Sequence, residues 1–231
     1  MLETVHLLIT SAAVVADTQA QSLLRSLLDA YADRPDPRTV AVVGNQPLTP
    51  DPDRAAAVDA CDLVIRVNGF VMDEPGDEPV TGSKVHAIVF NRALRATPWV
   101  FRDYSTRLYL MVEPGRLHWE PDIIPAWWPE DLGLVPVSNR EITIPLSNAL
   151  GLDGAQAHWA TTGTMAAWIA RTMYPDAQLL LTGYSFIDNP NQTSWEHASG
   201  DSCIVGPEHQ IAAEGRLLAS WVDSGSTTLM R

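Results

Sequence analysis

Residues 40–45, VAVVGN, and residues 62–68, DLVIRVN, decide the reading of this chain. Each is a short run dominated by Val, Ile and Leu that stops at an asparagine. Apolar runs without polar alternation describe strands covered on both faces, as in parallel sheets. Gly44 lets the backbone come close to a ligand, and Asn45 and Gln46 carry amides suited to ribose or phosphate. Working outward, Ala87–Phe90, Leu108–Val112 and Leu179–Thr182 read as further strands, and Asp53–Ala60 and Gly163–Tyr174 as helices. Over residues 19–32, Leu23, Leu24, Leu27, Leu28 and Tyr31 share a helical face, and RPDPR then ends that helix. Strands alternating with helices predict an α/β sheet, with ligands at the carboxyl ends of the strands.

A length of 231 residues fits one domain spanning 1–231. The net charge of −13 argues against a nucleic-acid or anionic-membrane surface, because such partners are held by Lys and Arg. An anionic substrate must then be met locally, by backbone N–H groups and a few placed donors. Lys84 is the single lysine, a bias expected of GC-rich coding and a bacterial source. Cys61 and Cys203 are too few for a disulfide framework. The apolar run Leu7–Val15 lacks a basic segment before it and is too short to span a bilayer, so a soluble cytoplasmic protein is expected. Segment 113–150, rich in Pro, Trp and Asn, reads as loops over the site, and 187–208 as a lid.

Two later stretches complete the pattern. Thr161–Thr162–Gly163–Thr164 precedes a helical run whose Met165, Ala166, Ile169 and Met173 form a core-facing stripe. A helix start exposes unpaired N–H groups and partial positive charge, and so can hold a phosphate. The strand after that helix ends at Gly183–Tyr184–Ser185–Phe186, and His209-Gln-Ile-Ala-Ala-Glu214 follows further on. Neither a P-loop nor a dinucleotide fingerprint is present. Asp51–Pro52–Asp53 matches the D-x-D metal pattern of many sugar transferases, but Asp53 reads better as a helix N-cap. Asp62 reads as a turn or cap acceptor. His6, His86, His118 and His158 have no metal-ligand spacing.

Taken in order, AVVGNQP with DLVIRVN, TTGT with TGYSF, and HQIAAE resemble the large, small and very-small motifs of the animal-type sialyltransferases, over about residues 39–218. The resemblance implies a Rossmann-like nucleotide-binding α/β sheet flanked by helices, a variant GT-A type. It also implies inverting, metal-independent transfer of sialic acid or another ulosonic acid from a CMP-sugar donor to an acceptor hydroxyl. No cofactor is expected. On this resemblance Asn45, Gln46, Asn68, Thr161, Thr162, Gly163, Gly183 and Tyr184 contact the nucleotide. His209 is the general base, a role suited to a group titrating near neutrality. Pro207 and Glu208 read as the first turn of a helix reaching Trp221, which puts Glu214 further along it as an orienting group.

The chain departs from the family pattern in three places. Gln46 and Pro47 replace the usual Ser–Gly, and the paired motif cysteines are absent, Val40 standing at the first position, as suits a cytoplasmic enzyme. A motif histidine expected to contact the phosphate is replaced by Thr193 in Thr193-Ser-Trp195-Glu196, with His197 as a stand-in one residue beyond. That loss leaves a CMP-sugar or CMP hydrolase, and a catalytically silent CMP-binding protein, open as alternatives. Indole faces stack on sugar rings, so Trp127 and Trp128 are the candidates for acceptor contact and Trp195 for the lid. Core packing is expected of Trp99, Trp159, Trp168 and Trp221.

Overall fold

A computed structural model describes residues 19–114, 128–153 and 157–231. Seven strands form one wholly parallel sheet: β1 (Thr39–Val43), β2 (Leu63–Val67), β3 (Ala87–Phe90), β4 (Leu108–Met111), β5 (Val135–Pro136), β6 (Gln178–Thr182) and β9 (Thr227–Met230). A two-stranded antiparallel hairpin, β7 (Ser194–Glu196) with β8 (Ser202–Ile204), stands apart from it. The order across the large sheet is β5-β4-β3-β2-β1-β6-β9. From β1 the chain builds outward to β5 in one direction and then starts again with β6 on the other side. The crevice between the carboxyl ends of β1 and β6 is therefore the topological switch point, where such sheets bind ligands.

The helices are α1 (residues 19–31), α2 (Pro52–Ala60), α3 (Pro98–Phe101), α4 (Ile144–Leu150), α5 (Thr162–Met173), α6 (Ser185–Asp188) and α7 (Ile211–Asp223). Successive strand residues point to opposite faces, and both faces are covered. Val40, Val42, Leu63, Ile65, Val89, Leu110, Leu179 and Leu181 pack against Leu24 and Leu28 of α1, Met165, Ile169 and Met173 of α5, and Leu218 of α7. On the reverse face Ala41, Val43 and Val64 meet Val58 of α2, while Ile88, Phe90, Tyr109 and Met111 meet Val100 of α3. Each fully buried Val, Leu or Ile contributes about 1.5–3 kcal/mol of transfer free energy. This two-sided burial explains why the strands read as unbroken apolar runs.

Sequence and structure part at several points. The N-cap of α2 is Asp51, not Asp53: Asp51 Oδ1 accepts from the N–H groups of Asp53 and Arg54, both at 3.0 Å. Pro52 occupies the first helical position, where a missing N–H costs nothing. Segment 113–150 is not loop alone, since it contains β5, a π-helical turn over Asn139–Thr143, and α4. Pro207 and Glu208 do not begin α7. His209 N donates to Gly206 O at 3.1 Å in a separate turn, and α7 starts only at Ile211. Asp62 is an acceptor as expected: its Oδ2 takes the N–H groups of Arg38 and Thr39 at 2.8 and 3.1 Å, fastening β1 to β2.

Trp168 and Trp221 pack together against the core, ring centroids 6.3 Å apart. Trp99 packs on the second cluster and donates from its indole to Glu74 at 2.9 Å. Trp159 is half-buried and belongs to none of the core clusters among the described residues. No helix among the described residues is long and apolar enough to cross a membrane.

Candidate functional site

The carboxyl ends of β1, β2, β3 and β6 open into a cavity of about 360 Å³, roofed by the β7–β8 hairpin. That volume lies inside the range of about 300–1,000 Å³ usual for small-molecule sites. Asn45, Gln46, Asn68, Thr161, Thr162, Gly163, Gly183, Tyr184, Trp195, His197 and His209 all line it. Residues spread over most of the sequence thus converge on one site.

Its floor is set by two glycines. Gly44 N donates to Thr182 O at 2.8 Å and Gln46 N to Gly183 O at 3.3 Å, locking the β1 and β6 ends together. A Cβ on Gly44 would stand 2.2 Å from Gly183 O, and Gly183 has φ +75°, in the left-handed region open to glycine. Asn45 Oδ1 is buried there with no hydrogen-bond partner among the described residues. A buried acceptor of this kind in a cavity wall is an invitation to a ligand N–H or O–H. Asn68, at φ +48°, accepts Asn91 N on Oδ1 at 3.3 Å, and Asn91 Nδ2 donates to Thr162 Oγ1 at 2.8 Å. An unbroken chain of amides therefore joins the end of β2 to the start of α5.

Arg66, two residues before Asn68, does not enter the cavity. Its fully buried guanidinium donates to the carbonyls of Val71, Thr81, Gly82 and Lys84 and to Thr81 Oγ1. Burial lowers its pKa to about 10, with Asp59 and Asp73 opposing, so it remains a cation at neutral pH. Its work is to hold the 71–84 loop against the sheet.

At the start of α5, Thr161 Oγ1 caps Thr164 N at 3.3 Å. Glu214, fully buried on α7, accepts from Thr161 N at 3.0 Å and from Thr161 Oγ1 at 2.7 Å. The N–H groups of Thr162 and Gly163 find no acceptor among the described residues and remain for a ligand. Tyr184 props this turn from below, its hydroxyl donating to Gly163 O at 2.9 Å. Burial raises the Tyr184 pKa far above the usual phenol value, so it acts as a donor and not as an acid.

His209 Nδ1 lies 3.1 Å from Trp159 O. A carbonyl can only accept, so this contact places the proton on Nδ1 and leaves the lone pair on Nε2. Glu208 Oε1 stands 3.7 Å from Nε2. His197 heads the turn of the hairpin, its N–H donating to Asp201 O at 2.9 Å. Burial holds its pKa below the usual value against the opposing charges of Asp201 and Glu196, so at neutral pH the ring is uncharged. Thr193 is exposed. Trp195 meets Phe186 edge-on, ring centroids 5.8 Å apart. The next residue but two, Ala198, donates its N–H to Asn45 O at 2.7 Å and pins the hairpin over the floor.

Trp128 is placed elsewhere. It is 7% exposed, stacks on Phe90 at 5.0 Å and donates from its indole to Leu132 O at 2.7 Å, which makes it a core residue in place of an acceptor platform. Trp127 lies outside the described residues. Sequence reasoning missed Asn91 and Arg95. For Asn91 the signal existed: AIVFN at 87–91 repeats the pattern of an apolar strand ending in asparagine. Arg95, in the loop after β3, carried none. Among the described residues no group of three or more His, Cys, Asp or Glu side chains is gathered as metal ligands. Cys61 is buried, Cys203 is exposed, and the two are unpaired.

No family profile and no curated protein sequence matches the chain. Solved structures do. A mammalian sialyltransferase in complex with Gal-beta-1-3GalNAc-ortho-nitrophenol superposes with a TM-score of 0.54 at 15% identity, covering 87% of this chain and 71% of that one. A second mammalian sialyltransferase structure gives a TM-score of 0.52 at 15% identity over 84% of this chain and 68% of that one. The fold, a parallel α/β sheet flanked by helices with its cavity at the switch point, is sialyltransferase-like.

Proposed function

We propose that this cavity binds a CMP-linked ulosonic acid and that the protein is a glycosyltransferase passing that sugar to an acceptor hydroxyl. The observation that carries the reading is the position of His209, its Nδ1 committed to Trp159 O and its ring lining the same cavity as the free N–H groups of α5. In this scheme Nε2 takes the acceptor proton as the acceptor oxygen attacks the anomeric carbon. The bond from that carbon to the phosphate oxygen breaks on the opposite face, and CMP leaves with the electron pair, so configuration inverts. Charge gathering on the phosphate is met by the Thr162 and Gly163 N–H groups at the positive end of α5. The imidazolium formed on His209 finds Glu208 nearby. Asn45, Asn68 and Asn91 supply the amides for ribose and base. No step in the scheme calls on a metal ion.

A silent CMP-binding protein is the second reading, favoured by Thr193, whose exposed hydroxyl cannot replace an imidazole. The deciding experiment incubates the protein with CMP-sialic acid, with and without galactoside acceptors, and follows CMP release and sugar products by mass spectrometry. A sialylated acceptor with CMP release supports transfer, and free sialic acid with CMP alone supports hydrolysis. CMP binding without either product leaves the silent reading standing. If CMP fails to bind, the nucleotide assignment falls.

A further inference from the structure

The described residues that line the cavity include one cationic Lys or Arg side chain, Arg95. It lies in the loop after β3, and its own backbone packs on the residue following Asn68: a Cβ on Gly69 would meet Arg95 O at 2.1 Å. That contact fixes the root of the side chain beside the β2 end of the cavity, across the floor from Gly183. The guanidinium reaches toward the β7–β8 hairpin, where Nη1 stands 3.2 Å from Asp201 Oδ1. This is one contact between exposed partners, with side chains 72% and 41% accessible, and such pairs contribute little to stability. Arg95 Nε and Nη2 make no hydrogen bond among the described residues.

A planar guanidinium has five N–H donors in a fork that matches a carboxylate. Here a single monodentate contact to a carboxylate occupies it, at the mouth of a cavity in a chain whose net charge is −13. The phosphate seat lies elsewhere, at the start of α5, where uncharged N–H groups meet it. Arg95 is thus surplus to phosphate binding and stands where a second, separate anion on the same ligand would meet the hairpin.

We propose that Arg95 is the specificity-determining residue for the donor sugar and selects a sugar bearing a carboxylate over a neutral one. This rests on the CMP-sugar reading given above and deepens it. Asp201 engages Nη1 alone and leaves the Nε and Nη2 edge to a ligand. When donor binds, its carboxylate takes the Nε and Nη2 edge in a bidentate pair, and Arg95 then ties the ligand to both the 91–97 loop and the hairpin. Asp201 keeps its hold on Nη1, and its negative charge beside the free edge opposes the approach of weakly held anions.

The test uses calorimetry on the full chain with three probes: CMP, the 3-fluoro analogue of CMP-sialic acid, which resists cleavage, and the methyl ester of that analogue. Arg95→Met should weaken the acid analogue about tenfold, the effect expected of one lost charge-assisted pair at an exposed site, and should leave CMP and the ester unchanged. Arg95→Lys should recover part of the loss. Asp201→Asn should tighten the acid analogue at low salt and leave the ester alone. Wild-type protein that binds CMP and takes acid and ester equally well overturns the role of Arg95 while the nucleotide reading stands. Equal losses for all three probes in Arg95→Met also overturn it, because they assign Arg95 to closing the hairpin alone. A wild type that binds no CMP overturns both readings.

Discussion

Glu214 offers the sharpest perturbation of this site. Its side chain is fully buried and its Oε2 receives both donors of Thr161, the backbone N–H at 3.0 Å and the hydroxyl at 2.7 Å. In Glu214→Ala the hydroxyl has a refuge, since Thr161 Oγ1 already lies 3.1 Å from Thr164 Oγ1. The N–H has none. A buried donor without an acceptor costs about 1–3 kcal/mol, and the space left by the lost carboxymethyl group adds about 1–2 kcal/mol. Relief of the buried carboxylate's desolvation offsets part of this. A net loss of about 3 kcal/mol is expected for Glu214→Ala.

Glu214→Gln separates geometry from charge. The amide oxygen keeps the acceptor for Thr161, while its NH₂ falls where Glu214 Oε1 finds no partner among the described residues, so the loss should be about 1 kcal/mol. Urea unfolding monitored by tryptophan fluorescence measures both values. CMP affinity, read by calorimetry on the folded variants, should fall about tenfold for Ala as the first turn of α5 loses its anchor, and by much less for Gln. A loss below about 1 kcal/mol for Ala, or equal losses for the two variants, would refute the reasoning, since it assigns the cost to the stranded Thr161 N–H.

His209→Ala should cut transfer by about 10²–10⁴, the usual worth of a placed general base, with CMP affinity unchanged, as steady-state rates and calorimetry will show. Gly44→Ala should destabilise by about 3 kcal/mol, because its Cβ would meet the backbone oxygen of Gly183 at 2.2 Å and splay the β1 and β6 ends; denaturant midpoints check this. His86 predicts a pH dependence. Burial and, less strongly, Lys84 lower its pKa from 6.5 to about 4, and its Nδ1 must keep a lone pair to accept Val64 N at 2.9 Å. Below pH 6.5 the unfolded chain takes up a proton that the folded chain refuses, so stability held above that pH is lost as pH falls from 6.5 toward 4. Allowing for partial exposure, the loss should reach about 2 kcal/mol. Urea midpoints at pH 7 and 4.5 measure it, and His86→Asn, which retains an acceptor, should flatten the slope. An identical slope in that variant would remove His86 as the cause.

The interior of the sheet was legible and its margins were not, for a physical reason. β1, β2, β3 and β6 lie between neighbours and beneath helices on both faces, so their residues are apolar without interruption. β9, with Thr227–Thr228–Leu229–Met230, borders solvent along one edge, and β5 is only Val135–Pro136, so neither leaves an apolar run to detect. The helix starts were misread where a cap and a first turn compete. Asp51 wins over Asp53 because Pro52 suits the first helical position, and Gly206 supports a turn of its own before α7. Within the site, residues that end strands were readable because strand ends carry ligands in this architecture. Trp128 was misplaced because a tryptophan in a proline-rich segment looks the same whether its ring faces a sugar or Phe90. Arg95 and Asp201, 106 positions apart, meet only through the fold.

The site is built from two parts of unequal firmness. Segment 159–161 runs beside segment 208–214 and is tied to it four times: Trp159 N to Glu208 O, His209 Nδ1 to Trp159 O, and both donors of Thr161 to Glu214. These ties are buried or half-buried and fix the proposed base against the proposed phosphate seat before any ligand arrives. That is the pair of groups whose separation governs an in-line displacement, where an error of about 1 Å can cost a hundredfold in rate. The hairpin is held to the cavity by fewer ties: Ala198 N to Asn45 O, the edge-on packing of Trp195 on Phe186, and the exposed Arg95–Asp201 pair. Of these ties the ion pair is the weakest, contributing less than about 1 kcal/mol, so that edge of the roof can part for a ligand and re-form around it. Rigidity therefore sits where bond-making needs it, and the weak contacts sit where ligand must enter. On this division, substitutions in the 208–214 ties should lower turnover at saturation, whatever they also do to CMP binding, while those in the hairpin pair should act mainly on donor affinity.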